Sequence, residues 1–272
     1  MMKILTTELT AGAAAPFTFL HLSDTHLTRV DPADGVGREA LAAERSRWFF
    51  AEDGLALGKK IADEEHLLTV HTGDLMDFWS PANARAVREY TGRGDVLFTA
   101  GNHEIHTCPH DRFCEEDFTA DLGRREEQLD RVQAVAGNDI RFFCREVNGV
   151  KLVGISDADY QVTEKQFEQL RAVVCEGKPV LLFLHIPPYH EELGAIRGKD
   201  LLATPKAIVD TYSPFMIFEQ QATETTYGFR DYIMTEPLIK AVFCGHIHFD
   251  YESSDKKVIV TGLDTLRKVT VK

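Results

Sequence analysis

Phe17-Thr18-Phe19-Leu20-His21-Leu22-Ser23-Asp24-Thr25-His26 is a short apolar run that ends in a carboxylate and an imidazole two residues apart. A continuous apolar run of this length, bounded by polar residues, is the pattern of a strand buried on both faces. The arrangement recurs. Val70-His71-Thr72 leads into Gly73-Asp74-Leu75-Met76-Asp77, and Leu97-Phe98-Thr99-Ala100 into Gly101-Asn102-His103-Glu104. Val180-Leu181-Leu182-Phe183-Leu184 leads into His185, and Ala241-Val242-Phe243-Cys244 into Gly245-His246-Ile247-His248. Open α/β sheets bind ligands at the carboxyl ends of their strands. Five strand ends carrying four His, two Asp and one Asn point to one shared site, with Asp24, His26, Asp74, Asn102, His185, His246 and His248 as candidate metal ligands. Seven are too many for one tetrahedral ion and suit two ions side by side.

The spacing supports this. Asp24 and His26 alternate by two, as do His246 and His248, so an extended backbone puts each pair on one face. Gly73 and Gly245 remove side-chain bulk where the backbone must turn. Asp74 is a carboxylate able to bridge two cations, and Asn102 offers a neutral oxygen. Every candidate donor is O or N and no Cys lies among them, which favours Mn, Fe, Zn, Co or Ni over a thiolate site.

Strands are expected over 17–22, 67–72, 96–100, 151–155, 180–184 and 241–244. Asn148-Gly149 is the favoured two-residue hairpin turn and joins runs 140–147 and 150–155. Runs 257–261 and 266–271 read as a final strand pair. Helices are expected across 38–65, with Gly54 and Gly58 as interruptions, and over 81–90 and 124–136. Another begins at the capping box Thr163-Glu164-Lys165-Gln166, with Phe167, Leu170, Val173 and Val174 on one face. The alternation is that of an α/β chain, and with no repeat or low-complexity linker a single domain over 1–272 is expected. Stretches 105–121 and 189–232 fit no regular element and read as long loops beside the site.

The 272 residues carry a net charge of −13. That argues against extended nucleic acid, which needs clustered Lys and Arg. A small phosphate ligand stays open, because bound cations attract anions. The five Cys are irregularly spaced, and a reduced cytoplasmic chain is the simpler reading. Cys144 and Cys244 lie in apolar runs as small hydrophobes. No run approaches the roughly 18 apolar residues needed to span a bilayer, so no membrane partner is expected.

The ordered set D-x-H, G-D-x-x-D, G-N-H-E, a lone His and G-H-x-H resembles the calcineurin-like metallophosphoesterases, from Asp24 to His248. The resemblance implies a two-sheet β-sandwich flanked by helices. It implies that Asp24, His26, Asp74 and His248 hold one ion, and Asp74, Asn102, His185 and His246 the other, the ions being divalent or trivalent. It implies a phosphoesterase, with hydroxide from bridging water attacking phosphorus. His103 would act at the leaving-group oxygen, oriented by Asp77. G-N-H-E is the form found in serine/threonine protein phosphatases, but Phe78-Trp79 stands where those enzymes have Arg-Gly. Asp24-Thr25-His26-Leu27 and His185-Ile186-Pro187-Pro188 resemble the small bacterial phosphodiesterases. The expected substrate is a small phosphodiester or phosphomonoester, a nucleotide among the candidates.

Blander readings stand beside these. A fold that has lost catalysis would serve as a binding scaffold. An amidohydrolase would open with H-x-H and run eight β/α units, which this chain does not. His21 and His71 read as packing, and His190 as an exposed residue. His106, Cys108, His110 and Cys114 match no standard zinc spacing and read as a site wall. Phe78 and Trp79 either stack on a substrate ring or pack beneath their loop. Phe215, Ile217, Phe218, Tyr227, Phe229 and Tyr232 suggest a packed lid, or more sharply a substrate wall or the interface of an oligomer.

Overall fold

The strand over Phe17–Leu22 buries alternate residues in opposite directions, and this sets the layers of the molecule. A computed structural model describes residues 2–105, 122–188, 190, 192–193 and 223–272. Among them the strands are β1 (Lys3–Leu9), β2 (Phe17–Leu22), β3 (Leu68–Thr72), β4 (Val96–Thr99), β5 (Phe142–Val147), β6 (Val150–Ile155), β7 (Val180–Phe183), β8 (Ile239–Cys244), β9 (Tyr251–Glu252), β10 (Val258–Val260) and β11 (Thr265–Val271). The helices are α1 (Val36–Arg45), α2 (Ala51–Glu65), α3 (Pro81–Thr91), α4 (Asn102–Ile105), α5 (Leu122–Gln133), α6 (Glu164–Val174) and α7 (Glu224–Thr235). No helix among the described residues is long and apolar enough to cross a membrane.

Two mixed sheets form, in the orders β1-β11-β2-β3-β4 and β5-β6-β7-β8-β10-β9. Phe19 points between them and meets Phe183 and Phe243 edge-on, at 5.6 and 5.5 Å between ring centroids. Val70, Leu97, Leu152, Leu181 and Val269 fill the same layer. Leu20 and Leu22 point the other way, onto Ala62 of α2 and Leu266. On the second sheet Leu182 and Leu184 face outward to Leu170 of α6 and Phe229 of α7. Both faces are covered, so the runs are continuously apolar rather than alternating. Each such side chain, fully buried, contributes about 1.5–3 kcal/mol.

β2, β3 and β4 run parallel, as do β6, β7 and β8. All the motif ends therefore emerge along one edge of the sandwich. The β5–β6 hairpin turns at Asn148 and Gly149, both with positive φ as the two-residue turn requires.

Several expectations need correction. Runs 257–261 and 266–271 do not pair. β10 lies beside β8 in the second sheet, whereas β11 lies between β1 and β2 in the first. Gly54 and Gly58 do not interrupt the helix; the break falls at 46–50 and both glycines lie buried in α2. A Cβ on Gly58 would sit 3.1 Å from Leu22 Cδ2, so the glycine sets how closely α2 approaches the sheet. The stretch 189–232 is not loop throughout, because α7 begins at Glu224; Phe229 is buried and packs edge-on to Phe167. Cys144 is exposed on the edge strand β5. His106, Cys108, His110, Cys114, Phe215, Ile217 and Phe218 lie outside the described residues.

Candidate metal centre

β2 and β3 keep pairing beyond their last strand residues. Asp24 N donates to Gly73 O, His26 N to Asp74 O and Leu27 N to Leu75 O, so the first two motifs are locked side by side. The backbone is bent sharply within them. Asp24, His26, Asp74, His246 and His248 all have φ between 50° and 68°. Left-handed backbone costs a non-glycine residue of order 1–3 kcal/mol and persists only where its surroundings impose it. Five of the seven candidate ligands share this strain, and it concentrates at one place.

Close packing of the motifs explains the glycines before them. A Cβ on Gly73 would stand 2.6 Å from the Gly101 backbone and 2.7 Å from His185 Nδ1. One on Gly245 would collide with Ser23 Oγ and Asp24 Oδ2.

The structure brings all seven side chains together in two groups that share Asp74. Asp24, His26, Asp74 and His248 form one, and Asp74, His185 and His246 the other. Asn102 Oδ1 lies 3.0 Å from both His185 Nε2 and His246 Nδ1. Asp24 is further held by the His246 backbone N–H, 2.9 Å from Oδ2.

The donor chemistry fits cations. His26 Nδ1 donates to Asp77 Oδ1 at 3.0 Å, and His185 Nδ1 donates to Thr72 O at 2.7 Å. Each ring therefore turns its Nε2 lone pair inward. Those lone pairs face other acceptors: His26 Nε2 lies 3.7 Å from Asp74 Oδ2, and His185 Nε2 lies 3.2 Å from it. Asp74 Oδ2 is itself buried with no hydrogen-bond partner among the described residues. Converging acceptors in a buried site repel unless positive charge sits among them. Without an ion the charge must come from protons. Burial lowers the pKa of His185, but the Asp74 carboxylate overrides this and drives it up to about 10. Burial holds His26 and His246 below the ordinary histidine value and takes His248 to about 4.

His103 stands at the partly exposed rim. Its Nδ1 donates to the Asp77 backbone carbonyl at 2.8 Å and lies 3.3 Å from Asp77 Oδ1, while its Nε2 lies 4.0 Å from Asp74 Oδ2. Burial alone would lower its pKa; the Asp74 and Asp77 carboxylates instead raise it to about 9. Asp77 is buried yet held well below the usual carboxylate range, because Arg45, His103 and His26 all donate to it against the cost of burial.

Three residues here have no counterpart among the sequence candidates. Glu104 is buried, and its carboxylate accepts from Asp74 N, Gly101 N and Met76 N at 2.7, 2.7 and 3.1 Å, tying two motifs together. Burial, then the Asp74 charge, pushes its pKa up to about 8. Asp157, just past β6, accepts from His185 N and Ile186 N at 3.1 and 3.0 Å; burial raises it to about 7. Arg45 comes from α1 and grips Asp77 with two donors, at 2.7 and 2.8 Å. The fourth position of G-N-H-E was a signal for Glu104, and an acid after another strand was one for Asp157. Arg45 had none.

Other candidates lie apart. His21 bonds Thr72 and Thr261, and His71 bonds Thr25, all buried, so both histidines serve packing. His190 is not exposed: it hydrogen-bonds the Tyr251 hydroxyl. Phe78 is fully buried against Leu41, Ala42 and Val30 and lies beneath its loop, whereas Trp79 is partly buried against the core beside α3.

The profile of the calcineurin-like phosphoesterases matches residues 17–250, and the chain belongs to that family. No curated protein matches the sequence significantly. Similar solved structures include a 5′-nucleotidase candidate from Staphylococcus aureus at 15% identity and a TM-score of 0.48, covering 94% of this chain and 51% of that one. A dimetal phosphatase from Danio rerio is 12% identical with a TM-score of 0.45, covering 91% and 88%. A purple acid phosphatase from yellow lupin (Lupinus luteus) is 13% identical with a TM-score of 0.46, covering 96% and 44%. The chain thus spans about half the length of the first of these and less of the last.

Proposed function

We propose that this protein is a metal-dependent phosphoric ester hydrolase that works with two metal ions on a small phosphate ester, a nucleotide among the candidates, and cleaves a diester at least as readily as a monoester. The sharing of Asp74 between two clusters of inward-turned donors carries the reading. Asp24, His26, Asp74 and His248 would hold one ion, and Asp74, Asn102, His185 and His246 the other. Both sheets supply these residues, which supports one functional unit over 1–272. Bound there, the ions supply an acidified water and positive charge for the phosphoryl oxygens.

The protein's own part is orientation and proton delivery. His103 keeps Nδ1 on Asp77 O, so Nε2 faces the cluster and carries a proton near neutral pH. That proton is placed to reach a departing alkoxide, a contribution of about 10²–10⁴-fold in rate. The diester preference follows from the residues after Asp77. Phe78 is fully buried, so this position offers no cation to grip the second charge of a monoester.

A panel of phosphate esters assayed with Mn, together with His103→Ala, tests the reading. The variant should lose activity strongly on esters with alkyl leaving groups and far less on p-nitrophenyl esters, whose anion departs without a proton. Its metal content should stay near normal. Equal loss on both leaving groups, or loss of metal, would replace the acid role with a structural one. A strong monoester preference in the wild type would overturn the diester assignment.

A further inference from the structure

Asp77 Oδ1 is approached by three nitrogens: Arg45 Nη2 at 2.8 Å, His26 Nδ1 at 3.0 Å and His103 Nδ1 at 3.3 Å. Arg45 Nε holds the other oxygen at 2.7 Å. The guanidinium also lies over the Phe49 ring, 4.9 Å from its centroid. Phe49 in turn stacks flat on His26, at 4.1 Å and 15°, and stands edge-on to His248. Arg45 is the last residue of α1, and Phe49 follows it in the turn before α2. This turn belongs to none of the motifs, yet it contacts His26 on two sides, through Asp77 at the ring edge and through Phe49 at the ring face.

We propose that Arg45 is a positioning residue for His26, and so sets the affinity of one metal position without acting on the leaving group. The physical reason lies in what each imidazole has to lean on. His103 Nδ1 has the Asp77 backbone carbonyl at 2.8 Å, which no rotation of the carboxylate removes. Among the described residues His26 Nδ1 has only Asp77 Oδ1. A two-donor grip by a planar guanidinium fixes both oxygens and the plane of the carboxylate. With the grip gone, the carboxylate can rotate, and His26 loses both its acceptor geometry and the side of its stack that Arg45 supports. The groups orienting a metal-binding histidine govern metal affinity, typically by 10–100-fold.

The inference rests on the two-metal reading, and the experiment separates the two. Mn binding to metal-depleted wild type, Arg45→Met, Arg45→Lys and His103→Ala is titrated by calorimetry, and turnover of alkyl and p-nitrophenyl esters is measured at saturating Mn. Arg45→Met should weaken one of two Mn affinities by about 10–100-fold and leave the other within about 3-fold. Its alkyl to p-nitrophenyl rate ratio should stay within about 3-fold of wild type, unlike that of His103→Ala. Arg45→Lys, which keeps the charge but not the fork, should fall between wild type and Arg45→Met and covers the case in which the methionine variant fails to fold. In the metal-free protein, the hydrogen-bonded His26 Nδ1–H resonance should be lost in Arg45→Met and kept in wild type. Unchanged Mn affinities, equal weakening of both, or a rate ratio shifted as in His103→Ala would each overturn the role of Arg45. Wild type that binds a single Mn would instead overturn the two-metal reading.

Discussion

Removing the Glu104 carboxylate should unfasten two motif loops at once. Its Oε2 accepts from the backbone N–H groups of Asp74 and Gly101, both at 2.7 Å, and its Oε1 from that of Met76 at 3.1 Å. The carboxylate is buried away from bulk water. A buried donor left unsatisfied costs about 1–3 kcal/mol. Glu104→Ala leaves three, or about 3–9 kcal/mol, against a total stability of about 5–15 kcal/mol for a typical domain. Glu104→Gln differs in kind. Its single oxygen can keep the Asp74 and Gly101 donors, but its amide then faces Met76 N, donor against donor. The loss should be about 1–3 kcal/mol. Urea unfolding of wild type and both variants at pH 7, with and without Mn, measures these differences, and elemental analysis follows the bound metal. The expected order is wild type, Gln, then Ala, with metal content falling in the same order. A glutamine variant within about 0.5 kcal/mol of wild type, or an alanine variant no worse than it, would refute the assignment of three backbone bonds to this carboxylate.

Asp74→Ala should lower turnover by at least about 10²-fold and reduce bound metal, since one side chain serves both clusters; near wild-type turnover with full metal content would exclude a bridging role. Chelation should destabilise the protein, because it leaves buried acceptors facing one another. Mn restored to about 100 times its Kd should recover about 2.7 kcal/mol, read as a concentration-dependent rise in Tm, and a Tm indifferent to Mn would count against a metal centre.

Local pattern revealed the elements that are buried on both faces. β2, β3, β4, β7 and β8 stand within one or two residues of their expected bounds, because a strand covered on two sides must be apolar throughout. β1 escaped for the converse reason. Lys3–Leu9 is an edge strand that buries only Thr7 and Leu9, so it carries no apolar run. The two strands at the C-terminal end were legible as strands but not as members of different sheets, since pairing is set by residues far away in sequence. Gly58 was legible as a glycine, but not as the point where α2 meets Leu22.

The same division runs through the site. The sequence alone determined which donors exist and that each follows a strand, because the chemistry of Asp, Asn and His and the order of the motifs are properties of the chain. Tertiary structure decided that five strand ends meet along one edge, that five of their residues are bent into left-handed backbone, and that Asp74 belongs to both clusters. It also decided which residues hold the donors in place. Glu104, Asp157 and Arg45 each reach a partner 28 to 32 positions away, across loops and from separate elements. A side chain's donors and acceptors can be read from its identity, whereas the partner that satisfies them depends on how the whole chain has packed.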